Sequence, residues 1–237
     1  MTCLYGLWHE IQPQMKSRIF YQSMIINKNQ LYINEESKSQ KDNYTSSDET
    51  SSHNNQWLIE MMKTYQNMVG WIRCEAIHID YPIMQTDDNS FYLSHLPDGS
   101  NNRLGSIFLD KSANRDFSSP VSIIYGHMMQ DGEMFGELKK YRKQDFYDKH
   151  SKLQLYTTAG EKDVILLAAY LVDGSSNPFP NEFDTSEDLY SYIKEIKSRS
   201  FFVSKETAVL GDKLIILSTC AYDFNNARLA IVGYIKP

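Results

Sequence analysis

The feature that most constrains the fold of this chain is a series of short β-type runs that follows Gly70. Each run is rich in aliphatic, β-branched or aromatic residues and is bounded by turn residues, which is typical of strands joined by short loops. The runs are residues 76–80, 106–110, 121–127, 153–158, 163–172, 213–220 and 228–235, with a further edge strand indicated at 81–84. Seven or eight such strands favour a mainly β fold, an antiparallel barrel or sandwich, over a βαβ sheet.

Two helices are predicted within this β series. The first covers about residues 133–143. The second follows Thr185, whose hydroxyl can form a capping box with Asp188, and it carries an apolar stripe that includes Leu189 and Ile193.

The first part of the chain has a different texture. Apolar residues recur at helical spacing over residues 4–26, and Pro13 predicts the start of a fresh helix because proline is best tolerated in a first turn. Residues 34–56 contain one aromatic and no aliphatic side chain, so they cannot bury enough apolar surface to offset the entropy of ordering them. An amphipathic helix then begins at Trp57, with Gly70 placed to end it.

These textures predict three parts of the chain. They are an N-terminal helical segment (1–33), a polar linker (34–56) and a main domain (57–237). We expect residues 1–53 to affect where the protein sits rather than its chemistry. The chain contains no apolar run of membrane-spanning length, and the apolar cluster in residues 1–11 is either the end of a removed anchor or one face of a helix.

Charge and cysteine content exclude several function classes. A net charge of −6 argues against a protein that mainly grips nucleic acid or anionic lipid. The three cysteines, Cys3, Cys74 and Cys220, are widely spaced and form no C-x-x-C pair, which excludes a disulfide framework and a thiolate zinc site. We therefore expect neither a metal nor a cofactor.

Cys220 ends the most β-like run of the chain, and the next run begins at Arg228. The two residues are symmetric about Phe224, so a tight antiparallel hairpin places their side chains opposite each other. A guanidinium beside a thiol lowers the thiol pKa below its usual value of about 8.5 and supplies donors for a developing oxyanion. A buried cysteine beside a solvated arginine fits the same spacing.

Of the six histidines, His127 is the best candidate partner for a reactive thiol. It ends the run 121–127 immediately before a polar loop, where a barrel presents residues at its rim. Histidine titrates near neutral pH, so it can exchange a proton with a cysteine nucleophile. The other histidines lie in the polar segment, near the terminus, beside turns or within a strand.

These residues resemble a known family. Tyr-Gly-His at 125–127, Glu-Met-Phe-Gly-Glu-Leu-Lys-Lys-Tyr at 133–141 and Leu-Ser-Thr-Cys at 217–220, followed by Arg228, are similar to the sortases, and more narrowly to class B sortases. The similarity extends to residues 69–95 and 104–110 and covers the chain from about Trp57 to its end.

The resemblance implies an eight-stranded sortase-type β-barrel with N-terminal helices and a helix between strands 6 and 7. It implies Cys220 as nucleophile, His127 as general acid and base, and Arg228 as stabiliser of the oxyanion and substrate. More weakly, it implies that Asn89, Tyr125 and Ser218 line the substrate groove. Residues 57–237 would then be the catalytic domain.

The implied function is that of a cysteine transpeptidase of the cell wall. Such an enzyme cleaves a C-terminal sorting signal after Thr, holds the acyl group as a thioester and joins it to an amine of a peptidoglycan precursor. The implied location is the outer face of the membrane in a Gram-positive bacterium, through an N-terminal anchor that this sequence does not display.

Two other readings remain open on the sequence. One is a cysteine peptidase that only hydrolyses its substrate, although an L,D-transpeptidase or a papain-like protease would place its cysteine differently. The other is a non-catalytic surface barrel that serves as a binding module. In that case Cys220, His127 and Arg228 would have no shared role, and an idle buried thiol would be inert towards thiol reagents.

Overall fold

The computed structural model describes residues 2–42, 55–175 and 178–236, and within the first helix the side chains of residues 12–37. The α-helices are α1 (Thr2–Asp42), α2 (Gln56–Thr64), α3 (Gln144–Lys149) and α4 (Ser186–Ser198). The strands are β1 (Met68–Cys74), β2 (Ile79–Met84), β3 (Phe108–Leu109), β4 (Val121–Tyr125), β5 (Lys152–Thr157), β6 (Gly160–Asp173), β7 (Leu214–Cys220) and β8 (Ala227–Ile235). Three short 3-10 helices span Glu75–Ile77, Phe91–Leu93 and Gly136–Arg142.

The eight strands close into a barrel in the order β1-β2-β3-β4-β7-β8-β6-β5. Neighbouring strands are antiparallel except for the pairs β2–β3 and β4–β7, which are parallel. Closure pairs every strand on both sides and so removes the exposed edges that an open sheet would have. The expected mainly β, eight-stranded barrel is confirmed.

Strand β1 is the element that the sequence pattern misses. Residues 57–70 read as a single helix, yet α2 ends at Thr64 and β1 begins at Met68, so the assignment of Gly70 as a helix end is wrong. A Cβ atom on Gly70 would lie 2.9 Å from the carbonyl oxygen of Tyr156 on β5. The glycine is therefore needed because a neighbouring strand approaches closely.

Buried apolar side chains form two layers because successive side chains of a strand point to opposite faces. On β7, Ile215 and Leu217 belong to the core inside the barrel, and Leu214 and Ile216 belong to a second core on its outer face. Helix α4 covers that outer core. The side chains of α4 that it buries there are Leu189, Ile193 and Ile196.

The capping box predicted for α4 is present. The Thr185 hydroxyl accepts from the backbone N–H of Asp188 at 3.1 Å, and the Asp188 carboxylate accepts from the backbone N–H of Thr185 at 3.1 Å. The predicted helix between strands 6 and 7 is thus confirmed, as are the N-terminal helices. The α-helix predicted at 133–143 is instead the 3-10 helix Gly136–Arg142, followed by α3.

Helix α1 packs directly on the barrel. Tyr21 and Met24 are buried in the barrel's main core, and the Tyr21 hydroxyl donates to the carbonyl of Gly105 at 3.0 Å. The ammonium of Lys28 pairs with the Asp80 carboxylate at the start of β2. These contacts make α1 part of the folded barrel, while the effect of residues 1–53 on location rather than chemistry stays a prediction.

One prediction for this part of the chain, the fresh helix start at Pro13, is wrong. Helix α1 is continuous through Pro13, whose carbonyl accepts from the Asn102 side chain at 2.9 Å, so no fresh helix begins there. It also continues to Asp42, where the polar linker 34–56 was expected. A helix already nucleated by packing extends at little cost, and the Glu35 carboxylate accepts from two backbone N–H groups at the start of α2.

Residues 43–54 lie outside the described residues, and Gln56 already belongs to α2. Over the part of the chain that is described, no helix combines the length and the apolar character that a membrane crossing requires.

Replacing Met24 with Ala tests whether α1 is part of the folded barrel. Met24 is 1% exposed, so we expect the free energy of unfolding to fall by about 2–5 kcal/mol, the usual cost of a truncated core methionine. Ile26 on the same helix is 60% exposed, and Ile26→Ala should change the stability by less than about 0.5 kcal/mol. Urea unfolding measures both variants, and equal effects would contradict the packing of α1.

Candidate active site

The β7–β8 hairpin brings Cys220 and Arg228 face to face. The two residues form a directly opposed pair in the antiparallel register, so their predicted juxtaposition is confirmed. An Arg228 Nη1 atom donates to the Cys220 Sγ atom at 3.8 Å. Asn226 completes the turn in the left-handed conformation, with φ of 59°, and asparagine adopts this more readily than most residues.

Cys220 and Cys74 have opposite surroundings. The Cys220 thiol is exposed at the end of β7, whereas Cys74 is buried at the end of β1. Burial raises the pKa of Cys74, although a contact with the Tyr141 hydroxyl at 3.8 Å partly opposes this. Of the two cysteines whose side chains are described, the exposed Cys220 thiol beside a cation is therefore the one suited to act as a nucleophile.

Parallel pairing of β4 with β7 sets the position of His127. The register aligns Tyr125 with Ser218, and Gly126 continues the pairing by donating its N–H to the Ser218 carbonyl at 3.2 Å. His127 and Cys220 each lie two residues beyond the aligned pair, so they lie side by side at the ends of two neighbouring strands.

A backbone carbonyl holds the imidazole of His127. Its Nε2 atom lies 2.9 Å from the carbonyl oxygen of Leu93, in the 3-10 helix Phe91–Leu93. A carbonyl can only accept, so Nε2 carries a proton and Nδ1 is the ring nitrogen left to exchange a proton with a neighbouring group. The backbone of His127 is fixed as well, since its carbonyl accepts from the N–H of Phe135 at 3.0 Å.

All six residues that the sequence singled out lie around one cleft of about 400 Å³. Its lining comprises Asn89, Leu93, Phe108, Tyr125, Gly126, His127, Ser218, Cys220 and Arg228. The mixture of apolar side chains with a few convergent polar groups is typical of a ligand site. We name this the catalytic cleft.

Asp110 supports the floor of the catalytic cleft and is missed by the sequence reasoning. Its carboxylate accepts from Asn89 at 2.8 Å and from the Tyr125 hydroxyl at 3.0 Å. Burial alone would raise the pKa of Asp110, but hydrogen bonds from Ser112, Tyr125 and Asn89 outweigh burial and hold the pKa below its ordinary value. Burial and the Asp110 charge together raise the pKa of Tyr125, which keeps its phenol a neutral donor. The position of an aspartate at the end of run 106–110 was the available signal.

Ser218 contributes a hydroxyl that has no protein partner. Its side chain is 1% exposed, and among the described residues its oxygen makes no hydrogen bond. A buried polar atom left unpaired costs free energy, so its presence in the wall of a ligand site favours a partner that arrives with the ligand.

Gly174 gives Arg228 its room and is the second functional position that the sequence does not reveal. A Cβ atom there would lie 2.6 Å from Nε and 2.9 Å from Cγ of Arg228. Gly174 follows β6, which pairs with β8 and aligns Val172 with Arg228. The guanidinium therefore lies against the bare backbone of the neighbouring strand end.

The barrel and this cleft define a class of protein, the cysteine enzymes that transfer acyl groups, and known proteins give the family. No protein-family model matches the chain. It is 34% identical over 178 residues to sortase B of Listeria monocytogenes, and the aligned region covers 74% of this chain and 72% of that protein. It is 30% identical over 175 residues to sortase B of Staphylococcus aureus, and the aligned region covers 73% of this chain and 72% of that protein.

Solved structures agree. The Staphylococcus aureus sortase B–substrate complex superposes with a TM-score of 0.80 at 25% identity and covers 95% of this chain and 98% of that one. A sortase B complexed with triglycine superposes equally well, with a TM-score of 0.80 at 26% identity over 94% of this chain and 98% of that one. The chain belongs to the class B sortases, and it is a cysteine transpeptidase that anchors proteins to the cell wall.

Replacing Gly174 with Ala should impair activity without unfolding the protein. The new methyl group displaces the flexible Arg228 side chain, and a displacement of about 1 Å in a site can cost about 10²-fold in rate. We expect kcat/KM for peptide cleavage to fall at least about tenfold while the melting temperature stays within a few degrees. Gly99→Ala, where no atom lies within 4 Å, is a glycine control for activity alone, because the φ of 79° at Gly99 strains an alanine there. Unchanged activity in Gly174→Ala would contradict the role of this contact.

Replacing Asp110 with Asn tests the network beneath the cleft through its pH dependence. The folded pKa lies below the unfolded value of about 3.9, so the ionised carboxylate stabilises the fold above that pH, and the contribution disappears as pH falls through the folded pKa. The gap in melting temperature between wild type and Asp110→Asn should be widest near neutral pH and narrow below about pH 4. Asp184→Asn, at an exposed position, controls for the aspartate-to-asparagine change itself. A gap that is constant with pH would contradict the network.

Proposed function

We propose that Cys220, His127 and Arg228 are the catalytic residues of this transpeptidase. The observation that carries the proposal is the exposed thiol of Cys220, which faces Arg228 in register and shares one cleft with His127. In the first half-reaction the Cys220 thiolate attacks the carbonyl carbon of the scissile peptide. The proton that the Cys220 thiol gave up to Nδ1 of His127 passes to the departing amine as the carbon–nitrogen bond breaks. The product is a thioester on Cys220.

Arg228 acts on the tetrahedral intermediates of both half-reactions. The guanidinium presents several fixed hydrogen-bond donors. One donor can contact the Cys220 sulfur while others bind the oxyanion. Gly174 beneath it keeps this position open.

Asn89, Tyr125 and Ser218 bind the sorting-signal peptide. Asp110 fixes Asn89 and Tyr125 in place before the substrate arrives, which lowers the entropy lost on binding. The unpaired hydroxyl of Ser218 faces the same cleft and gains its missing partner from the peptide. The solved substrate complex of the Staphylococcus aureus relative supports a peptide substrate for this chain.

The substrate is a C-terminal sorting signal cleaved after Thr, and the acceptor is an amine of a peptidoglycan precursor. The relative solved with triglycine supports an amine acceptor. The enzyme works at the outer face of the membrane of a Gram-positive bacterium, held there by an N-terminal anchor. Residues 57–237 form the catalytic domain, and α1 packs on it as an extension.

Mass spectrometry of the thioester tests this proposal. Incubation with peptides varied around a Pro-x-Thr core should add the acyl mass to the peptide that contains Cys220, and a glycine peptide or a diaminopimelate-containing stem peptide should discharge it into a ligated product. Cys220→Ala should abolish both events because no nucleophile remains.

Cys74→Ala is the control, since its thiol is buried and lines no part of the catalytic cleft. It should keep activity within a few-fold of the wild type. Loss of activity in this variant equal to that in Cys220→Ala would overturn the assignment of the nucleophile. If only hydrolysed peptide forms, with no adduct and no ligated product with any acceptor, the result favours a peptidase. If no signal peptide gives an adduct or is cleaved, the result favours a binding module.

A further inference from the structure

A second cleft adjoins the catalytic residues but shares none of its lining with the catalytic cleft. It has a volume of about 450 Å³ and is lined by Met128, Lys139, Arg142, Tyr222 and Asp223. Met128 directly follows His127, and Tyr222 lies two residues beyond Cys220. Residues close in sequence to the imidazole and to the thiol therefore line this second cleft. A transpeptidase needs a second substrate, the acceptor, to reach its thioester.

The walls of this second cleft are fixed. The Arg142 guanidinium donates to both oxygens of Asp223, at 2.8 and 2.6 Å, which joins the 3-10 helix Gly136–Arg142 to the β7–β8 turn. Paired contacts of this kind hold both groups in one geometry. Arg142 also lies over the ring of Phe201 at 5.1 Å. The cleft thus has a defined shape beside the nucleophile.

The charge balance of the cleft favours anions. Arg142 and Asp223 neutralise each other, and Lys140 pairs with Glu137 at 2.5 Å. Lys139 reaches the same Glu137 only at 3.6 Å, and 49% of its side chain is exposed. One carboxylate is therefore shared by two ammonium groups, and the surplus positive charge lies at Lys139.

We propose that this second cleft binds the acceptor, and that Lys139 selects acceptor peptides that carry a carboxylate in addition to their amine. The inference rests on the proposed function, because it assigns the second substrate of the same reaction. Tyr222 and Met128 supply apolar surface for the acceptor backbone, and Lys139 pairs with its carboxylate.

The same charge assists the chemistry. An amine attacks a thioester only as the free base, and nearby cations disfavour its ammonium form. In the step itself the amine nitrogen bonds to the thioester carbon, the carbon–sulfur bond breaks, and Cys220 leaves as a thiolate. The proton lost by the nitrogen goes to His127. The carboxylate contact with Lys139 offsets the repulsion between the cleft and an arriving ammonium.

The experiment compares two acceptors that differ only in charge, triglycine and triglycinamide. Each is added to enzyme already loaded with the acyl group, and chromatography measures the ratio of ligated to hydrolysed peptide. Wild type should favour triglycine by about fivefold at low salt, a preference that salt should weaken as it screens the pair. Lys139→Gln should remove the preference, and Lys139→Glu should reverse it.

Lys143→Gln is the matched control, since Lys143 is exposed on the same segment but does not line the cleft. It should keep the wild-type preference. The rate of thioester formation should be equal in all four proteins, because that step uses the other cleft. Equal ligation of both acceptors by loaded wild type, or an effect of Lys143→Gln as large as that of Lys139→Gln, overturns the acceptor assignment alone. Failure of every protein to form the thioester overturns the proposed function and this inference with it.

Discussion

The arrangement of the site depends on the hydrogen bonding of a single strand, β7. On one side β7 pairs antiparallel with β8, and this register sets Arg228 opposite Cys220. On its other side β7 pairs parallel with β4, and this register carries His127 to the level of the thiol. Backbone hydrogen bonds on both edges of one strand thus fix the positions of Cys220 on β7, Arg228 on β8 and His127 just after β4. A slip of one residue in either ladder would turn the side chains to the opposite face of the sheet.

These two pairings differ in how far the sequence reveals them. The contact of Cys220 with Arg228 is local, and symmetry about Phe224 predicts it from spacing alone. The pairing of β4 with β7 joins segments about ninety residues apart, and nothing in either segment encodes its partner. His127 could be proposed only as a histidine at a strand end, and the family resemblance supplied the connection. A contact between neighbouring strands of one hairpin can be predicted from sequence spacing, whereas the register between distant strands is set by closure of the barrel.

The supporting groups escape prediction for a related reason. Leu93 acts through its backbone carbonyl, so its side chain carries no signal of its role. Gly174 is needed because the Arg228 side chain packs against its backbone, but a single glycine after a strand predicts only an ordinary turn. The polar composition of residues 34–42 indicated a linker because composition takes no account of tertiary packing. Helix α1 is stabilised by the contacts of Tyr21 and Met24 with the barrel, and residues 34–42 continue that helix.

Helix α1 also reaches both segments that hold the imidazole. The Tyr21 hydroxyl donates to the carbonyl of Gly105, in the long connection from β2 to β3 that also contains Leu93. Arg18 pairs with Asp131 at 2.8 Å, in the loop that follows His127. The ion pair is half-exposed and contributes little by itself, so the buried tyrosine is the stronger of the two supports. A helix that composition marks as peripheral is thus connected, through hydrogen bonds to the β2–β3 connection and salt bridges to the loop after β4, to the segments on either side of His127.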